Sequence, residues 1–518
     1  MIIWPQMAFV YLIFMANLFK GLRPNTKLAK NGFSLSQKHV FSSRPGLALP
    51  CLALEVVPND HIEIDVANLT RTMTLSTASF VRGKFNFDFF FVPYSQIWHP
   101  FNQFIDQRKD QHTTLQKGIN YVPTIDLGRL LNLIWQTYQS FSGNTSTVAH
   151  QASMDIFGYA WAYNALRMLD MLGYGAFYEI LTFDNDNEAS AFFTKFNGVF
   201  VNIFRMAAYQ HIWYDFYRNK YFDVDTEYRD GLSQGLDYVR YWNFDDIDCS
   251  DFGSSHPTIN VASPASSDND RIFGLLQQRY VQYKRDLFTS VMPSTQFGAI
   301  SSISFTDITL DARANADEDE NASVGGSPRK LQYSIDNGDN TDSRWNVPSA
   351  FDVLQLRKAE LLQRWKQLTL RAGNMVDDNF RAHYGVTSHY ESDNNVMFLG
   401  SYSSDLQINP VEGTVNNSDG QIGSLGATGT AVANGSKIVF DLKEHGDYGV
   451  IMCIQSFIPE NEYNALMVDK QNTMYEPFDF FTPEFQNIGL EAVTRSSYDF
   501  AKNVDKRNDL LGYAYPHS

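Results

Sequence analysis

The sequence predicts a mainly β chain, a sandwich or jelly roll whose strands are separated by long, partly helical insertions. Three observations carry this expectation. Residues 83–93, GKFNFDFFFVP, put Phe85, Phe87, Phe89 and Phe91 on one face of an extended segment and Asn86 and Asp88 on the other, with Pro93 ending it; this is the two-residue period of a strand. Residues 449–457, GVIMCIQSF, are nearly all apolar and of strand length, bounded by EHGDYG before and Pro459 after, as a strand buried on both faces should be. Aromatic residues make up 14% of the chain, with 40 Phe and 27 Tyr, and flat rings suit sheet faces and large interfaces.

Size and charge bound the rest. At 518 residues the chain exceeds what one core usually supports, so several domains or one core with long insertions are expected. An apolar fraction of 44% and a charged fraction of 19% exclude a largely disordered polymer. The net charge of −17 excludes a surface that binds nucleic acid all over, so any such contact must be local. Cys51, Cys249 and Cys453 lie far apart without CxxC or metal-ligand spacing, which fits synthesis in a reducing cytoplasm. The apolar start, residues 1–19, has no basic n-region and is interrupted by Lys20. It reads as a non-targeting extension, with a more ordinary start at Met15 (MANLFKGLRP), and no membrane insertion is expected.

In chain order, residues 1–46 form an extension and a basic arm: Lys20, Arg23, Lys27, Lys30, Lys38 and Arg44 occur with no Asp or Glu before Glu55. A flexible terminus and a nucleic-acid-facing tail both fit such a stretch. Residues 47–75 read as extended, with a turn at Pro58, Asn59 and Asp60, then Ile62, Ile64 and Val66 alternating against Glu63 and Asp65. Helical periodicity marks 154–173, 199–219 and 348–373, the last with Ser349 and Gly373 at its expected caps. Polar stretches within about 106–153, 222–272, 299–346 and 401–436 read as long surface loops. Of these, 307–346 is expected to protrude and to take part in host recognition, because its Asp, Glu, Asn and Gly content resists burial. The main domain is expected over 47–490 and a C-terminal segment over 491–518.

Seven stretches, in order, resemble the major capsid protein of microviruses, most closely the gokushovirus-like and prophage-derived branches. They are FSSRPGLALPCLALEVVPND (41–60), FNFDFFFVPYSQIWHPFNQFI (85–105), AAYQHIWYDFYRN (207–219), YKRDLFTSVMPSTQFG (283–298), LRAGNMVDDNFRAHYGV (370–386), MFLGSYSSDLQINPV (397–411) and EHGDYGVIMCIQSFIP (444–459). The resemblance implies an eight-stranded antiparallel viral jelly roll and a virion protein that assembles with itself into a T=1 icosahedral shell around circular single-stranded DNA. It further implies assembly in the bacterial cytoplasm and, as partners, a small basic DNA-binding protein, pilot, spike or scaffolding proteins and a host surface receptor. Two departures stand out. Met292, Pro293, Ser294 and Thr295 replace a tryptophan-containing segment, and LGYA at 511–514 is followed only by Tyr515, Pro516, His517 and Ser518, an apparently truncated end.

Catalytic patterns are missing: there is no GxSxG, no HExxH and no cysteine in a known histidine pairing. No enzyme, cofactor or metal site is expected. His99 and His383 sit in aromatic surroundings and read as packing residues. Asp184, Asp186 and Glu188 begin like a calcium loop, but Ala189 and Lys195 stand where its glycine and closing glutamate belong. The run 317–320 reads as a solvated tip, and Gly423, Gly426 and Gly429 as a flexible loop. The residues expected to face nucleic acid are Arg23, Lys27, Lys30, Lys38 and Arg44. From another class, a carbohydrate-binding or carbohydrate-cleaving jelly-roll protein fits the aromatic content, since the fold does not dictate function.

Overall fold

The computed structural model describes residues 31–72, 82–106, 121–142, 159–183, 185–218, 270–286, 288–296, 353–372, 376–386, 396–410, 427–434, 438–441, 447–461, 490–494 and 509–514, with scattered positions between. Residues 1–42 and 43–518 are separate compact units. In the first, residues 31–42 carry neither helix nor strand.

In the second unit the strands are β1 (Leu49–Val56), β2 (His61–Ile64), β3 (Ala67–Arg71), β4 (Gly83–Pro93), β5 (Thr124–Asp126), β6 (Phe200–Asn202), β7 (Met397–Asp405), β8 (Gln407–Pro410), β9 (Ala427–Asn434), β10 (Ile438–Asp441), β11 (Gly449–Pro459), β12 (Glu491–Thr494) and β13 (Leu510–Ala514). The helices are α1 (Tyr94–Ile97), α2 (Phe101–Asp106), α3 (Leu127–Ser142), α4 (Tyr159–Met171), α5 (Asp186–Thr194), α6 (Phe204–Ile212), α7 (Asp270–Leu275), α8 (Val353–Ala372) and α9 (Val376–Tyr384). A single π-helical turn, Trp213–Tyr217, continues α6.

The centre is a four-stranded antiparallel sheet in the order β1-β11-β4-β7. The β4 alternation is as expected: Phe85, Phe87 and Phe89 pack with Cys453 and Phe457, while Phe91 packs with Val56, Phe440 and Ile451. Ile62, Ile64 and Phe440 of the β2–β10 pair cover this face, which is sheet-on-sheet packing. Asn86 and Asp88 do point to the opposite face, but water does not own that face. Phe90 and Val92 of β4 and Val450, Met452 and Ile454 of β11 bury there against a helical layer that includes Leu131, Leu166, Met206 and Leu275. The turn after β1 is also where the sequence placed it: Asn59 is left-handed at φ 74°, and Val57 N–H donates to the Asp60 carboxylate at 3.1 Å.

Several expectations need correction. The chain is mixed rather than mainly β, because its largest apolar cluster is built mostly from helices. The 106–153 stretch is no surface loop throughout: it holds β5 and α3, whose Leu130, Leu131 and Ile134 are fully buried. Asp126 opens that helix by accepting the Arg129 N–H and the Gly198 N–H, both at 3.1 Å. The 401–436 stretch holds the end of β7 and all of β8 and β9. Within 222–272, Phe244, Ile259 and Ile272 are buried core residues. The helix expected from 199 starts at Phe204, because Phe200–Asn202 pairs with β5. Residues 299–346, including the expected protrusion, lie outside the described residues, as do Ser349 and Gly373.

The first departing segment meets the LGYA stretch in space. Met292 N–H donates to the Tyr513 carbonyl at 2.8 Å and Tyr513 N–H to the Met292 carbonyl at 2.7 Å, while β13 also pairs with β12. Gly512 lies against Val291 and Met292 so closely that a Cβ there would sit 2.7 Å from the Met292 carbonyl oxygen. Upstream, Asp286 shapes the RDLFTS turn by accepting the N–H groups of Phe288 and Thr289 at 2.9 and 2.8 Å.

Candidate nucleic-acid interface

The basic arm enters the second unit through a pinned segment. Gly46 is left-handed at φ 81°, a conformation that only glycine adopts without strain. Its N–H donates to the Phe457 carbonyl at 2.9 Å, Val281 N–H donates to the Gly46 carbonyl at 2.8 Å, and Ala48 N–H donates to the Arg279 carbonyl at 3.0 Å. Residues 44–48 are thereby clamped against 279–281, and Leu47, Ala48 and Leu49 are buried.

This clamp positions Arg44 at the surface, where its Nη2 donates to the Tyr280 hydroxyl at 3.1 Å. Arg167 lies within its field: burial first, and the Arg44 charge among lesser causes, push the Arg167 guanidinium below its ordinary value, opposed by Tyr163 and Tyr178. Beside these cations Tyr163 and Tyr280 are 44% and 53% exposed, and Tyr283, further along the same stretch as Tyr280, is 73% exposed. Lys284 follows, bonded to the Glu460 carboxylate at 3.0 Å, which holds Glu460 below the usual carboxylate range. Guanidinium groups beside exposed phenol rings can take phosphate oxygens and offer faces for unpaired bases.

Of the five arm residues, Lys38 is exposed in the 31–42 segment and Arg44 is at the clamp, whereas Arg23, Lys27 and Lys30 lie outside the described residues. Arg167, Tyr280 and Tyr283 were missed by the sequence reading. The stretch RYVQYKR at 279–285 did carry a signal, basic residues interleaved with aromatics. Its first member turns inward: Arg279 is 4% exposed, with its guanidinium 4.2 Å from the Trp213 ring and its Nε donating to Gln210 at 2.8 Å.

The other candidates resolve as structure. Asp186 begins α5 and Glu188 follows within it, so the calcium-loop spacing lies on a helix. Among the described residues no group of three His, Cys, Asp or Glu is placed to hold a metal. His383 shares a hydrogen bond with the Thr369 hydroxyl at 2.9 Å and packs on Trp365; His99 is exposed. Gly429 belongs to β9, while Gly423, Gly426, Cys249 and residues 317–320 lie outside the described residues. Cys51 and Cys453, distant in sequence, are neighbours across β1 and β11, with the Cys51 thiol 3.5 Å from the Cys453 carbonyl and both thiols free.

Comparison with known proteins settles the family. A profile described as capsid protein (F protein), a phage family, matches residues 24–163 and 181–514. The chain belongs to this phage capsid protein family. A relative, capsid protein VP1 of Bdellovibrio phage phiMH2K, is 27% identical over 166 residues, covering 32% of this chain and 31% of that protein. The aligned part thus spans under a third of VP1's length. No helix among the described residues is long and apolar enough to cross a membrane.

Proposed function

We propose that the chain is the major capsid protein of a small phage, forming a T=1 icosahedral shell around circular single-stranded DNA, with an eight-stranded viral jelly roll as its centre. The match of the capsid family profile over residues 24–163 and 181–514 carries the reading. The strand order β1-β11-β4-β7 supports the jelly roll: strands from opposite ends of the chain are neighbours, as a Greek-key path requires. The genome-facing residues are Arg23, Lys27, Lys30, Lys38 and Arg44, joined by the exposed Tyr280 at the clamp. Because the chain carries −17 charges, a separate small basic protein shares the neutralisation of phosphate. Pilot, spike or scaffolding proteins assist assembly in the bacterial cytoplasm, and residues 307–346 meet the host receptor.

The test is expression of the full chain with its assembly partners, followed by electron microscopy and nuclease-protected DNA analysis. Closed T=1 shells with protected single-stranded DNA are the expected result; a chain that stays monomeric under all assembly conditions would overturn it. Changing Lys27, Lys30 and Lys38 together to Gln should lower DNA content and flatten its salt dependence, at roughly 0.7 in log–log slope per lost phosphate contact. Unchanged packaging and unchanged salt sensitivity would remove the arm from the proposal.

A further inference from the structure

We propose that the outward face of α8 is a contact between copies of this chain in the shell, an inference that rests on the shell-forming reading. Among the described residues, the side of the helix carrying Gln363 and Leu370 is the docked one. Gln363 donates to Gln296, and Leu370 is 1% exposed. Leu361 is nine residues from Leu370, about two and a half turns, and so lies on the opposite side. There Leu354, Leu361 and Trp365 are 56%, 64% and 54% exposed, with Trp365 braced from one side by the His383 ring of α9 at 5.6 Å.

The spacing on this face is regular. Leucines stand at 354, 361 and 368 and arginines at 357, 364 and 371, two seven-residue repeats side by side. An apolar seam flanked by charges at this period is how helices present themselves to another protein surface. Leu, Trp and Arg together also make an unusual solvent face, because Trp and Arg are the residues that anchor protein interfaces.

Charge selects the occupant. The helix carries Arg357, Lys358, Arg364, Lys366 and Arg371 against Glu360 alone, within a chain of net charge −17, so the rest of every copy carries a net negative charge. A neighbouring copy therefore supplies carboxylates for the exposed Arg357 and Arg364, and the leucine seam loses water against its apolar atoms. Single-stranded DNA would satisfy the cations but would leave the leucines without a use, since phosphate binding and base stacking need neither. A capsid subunit must in any case bury large surfaces against its own kind.

A photo-crosslinking amino acid placed at Leu361 in particles assembled from the full chain tests the contact directly. The expected product is a covalent dimer whose mapped peptide lies on an acidic surface of a second copy. Crosslinks confined to the same chain, to DNA or to another protein would overturn the proposal. In parallel, the double change Leu361→Asp with Arg364→Glu should leave the melting of the isolated chain unchanged and cut shell yield at least tenfold. Should that variant melt early, Leu361→Ser with Arg364→Gln replaces it, with the same loss of yield expected. Normal shell yield, with or without DNA inside, would sink the inference while leaving the shell-forming reading intact. Failure of the unaltered chain to form shells would instead remove that reading.

Discussion

Helices α6 and α8 occupy opposite extremes of the same molecule. In α6, seven of nine residues are buried, including the polar Gln210. In the twenty-residue α8, Leu370 is the fully buried side chain among those described, and leucines and a tryptophan face out. The short helix is held by what surrounds it. Tyr209 donates to the Ala48 carbonyl at 2.8 Å and accepts the Arg279 N–H at 3.0 Å, while Gln210 donates to the carbonyls of Leu275 and Gln277 at 3.1 and 2.8 Å. A helix with polar groups satisfied inside a core is part of the chain's own stability. A long helix with apolar groups at its surface has stability to give to an assembly.

The same substitution in both helices separates these roles most sharply. Ala208→Asp puts a carboxylate at a position that is 0% exposed and should cost roughly 3 kcal/mol or more, enough to abolish soluble protein. Its counterpart, Leu361→Asp, should be nearly silent in the isolated chain. Equal losses of soluble protein in the two would break the contrast.

Tyr209→Phe removes the hydroxyl that serves the backbone of both Ala48 and Arg279 and should cost about 2–3 kcal/mol, read from a denaturant midpoint. A loss below about 0.5 kcal/mol would mean water replaces it, and that the α6 face is less dry than its burial indicates.

His211 adds a pH dependence at the same helix. Burial lowers its imidazole from 6.5 to about 4, and its Nε2 is enclosed although the residue as a whole is half-buried. Because the folded-state value lies below the unfolded one, the unfolded chain takes the proton first as pH falls through 6.5. Stability is therefore lost between about pH 7 and 4, by about 2–3 kcal/mol at pH 4.5 from this group. His211→Gln should lessen the fall measured between pH 7 and 4.5 by that amount. An unchanged slope would place the imidazole in contact with water.

Tyr217, on the π turn after α6, donates to the Asp88 carboxylate at 2.6 Å. Burial raises the Asp88 carboxyl above its ordinary value, and the tyrosine's hydrogen bond opposes this. Tyr217→Phe should cost about 1–2 kcal/mol near neutral pH. The cost should shrink as pH falls, because protonation removes the buried charge that the hydroxyl serves. A pH-independent cost would show that the hydroxyl matters apart from the Asp88 charge, since phenylalanine keeps the ring packed on Phe90, 5.8 Å away. Smallest of all, Leu361→Asp should change the isolated chain by no more than about 0.5 kcal/mol.

Legibility in the sequence followed the number of faces that a segment buries. The β4 alternation was readable because one face is uniformly Phe and the other begins with Asn86 and Asp88; the register could have been inferred from that alone. The helical layer over the second face was not readable there, since Asp88 looks like a solvent residue until Tyr217, 129 positions away, comes to meet it. Helix α3 escaped notice because polar sequence on both sides disguised it as loop, although its Leu130, Leu131 and Ile134 follow helical spacing. At the candidate nucleic-acid interface, Arg44 was visible as part of an acid-free run. Arg167 and Tyr280 were not: Tyr280 meets it through the clamp at Gly46, and Arg167 comes to it from the distant helix α4.

By itself the sequence determined the local geometry and the class of protein: the strands at 83–93 and 449–457, the turn at Asn59, the long helix ending near Ala372, and the ordered stretches that mark a phage capsid chain. Local propensity and side-chain period act within a few residues, so they are written in consecutive positions. The tertiary structure decided which strands lie side by side, that both sheet faces are covered, that Met292 holds Tyr513, and that α8 turns its leucines outward. Those outcomes depend on contacts between residues hundreds of positions apart, where the gain from excluding water belongs to the pair and cannot be read from either partner alone.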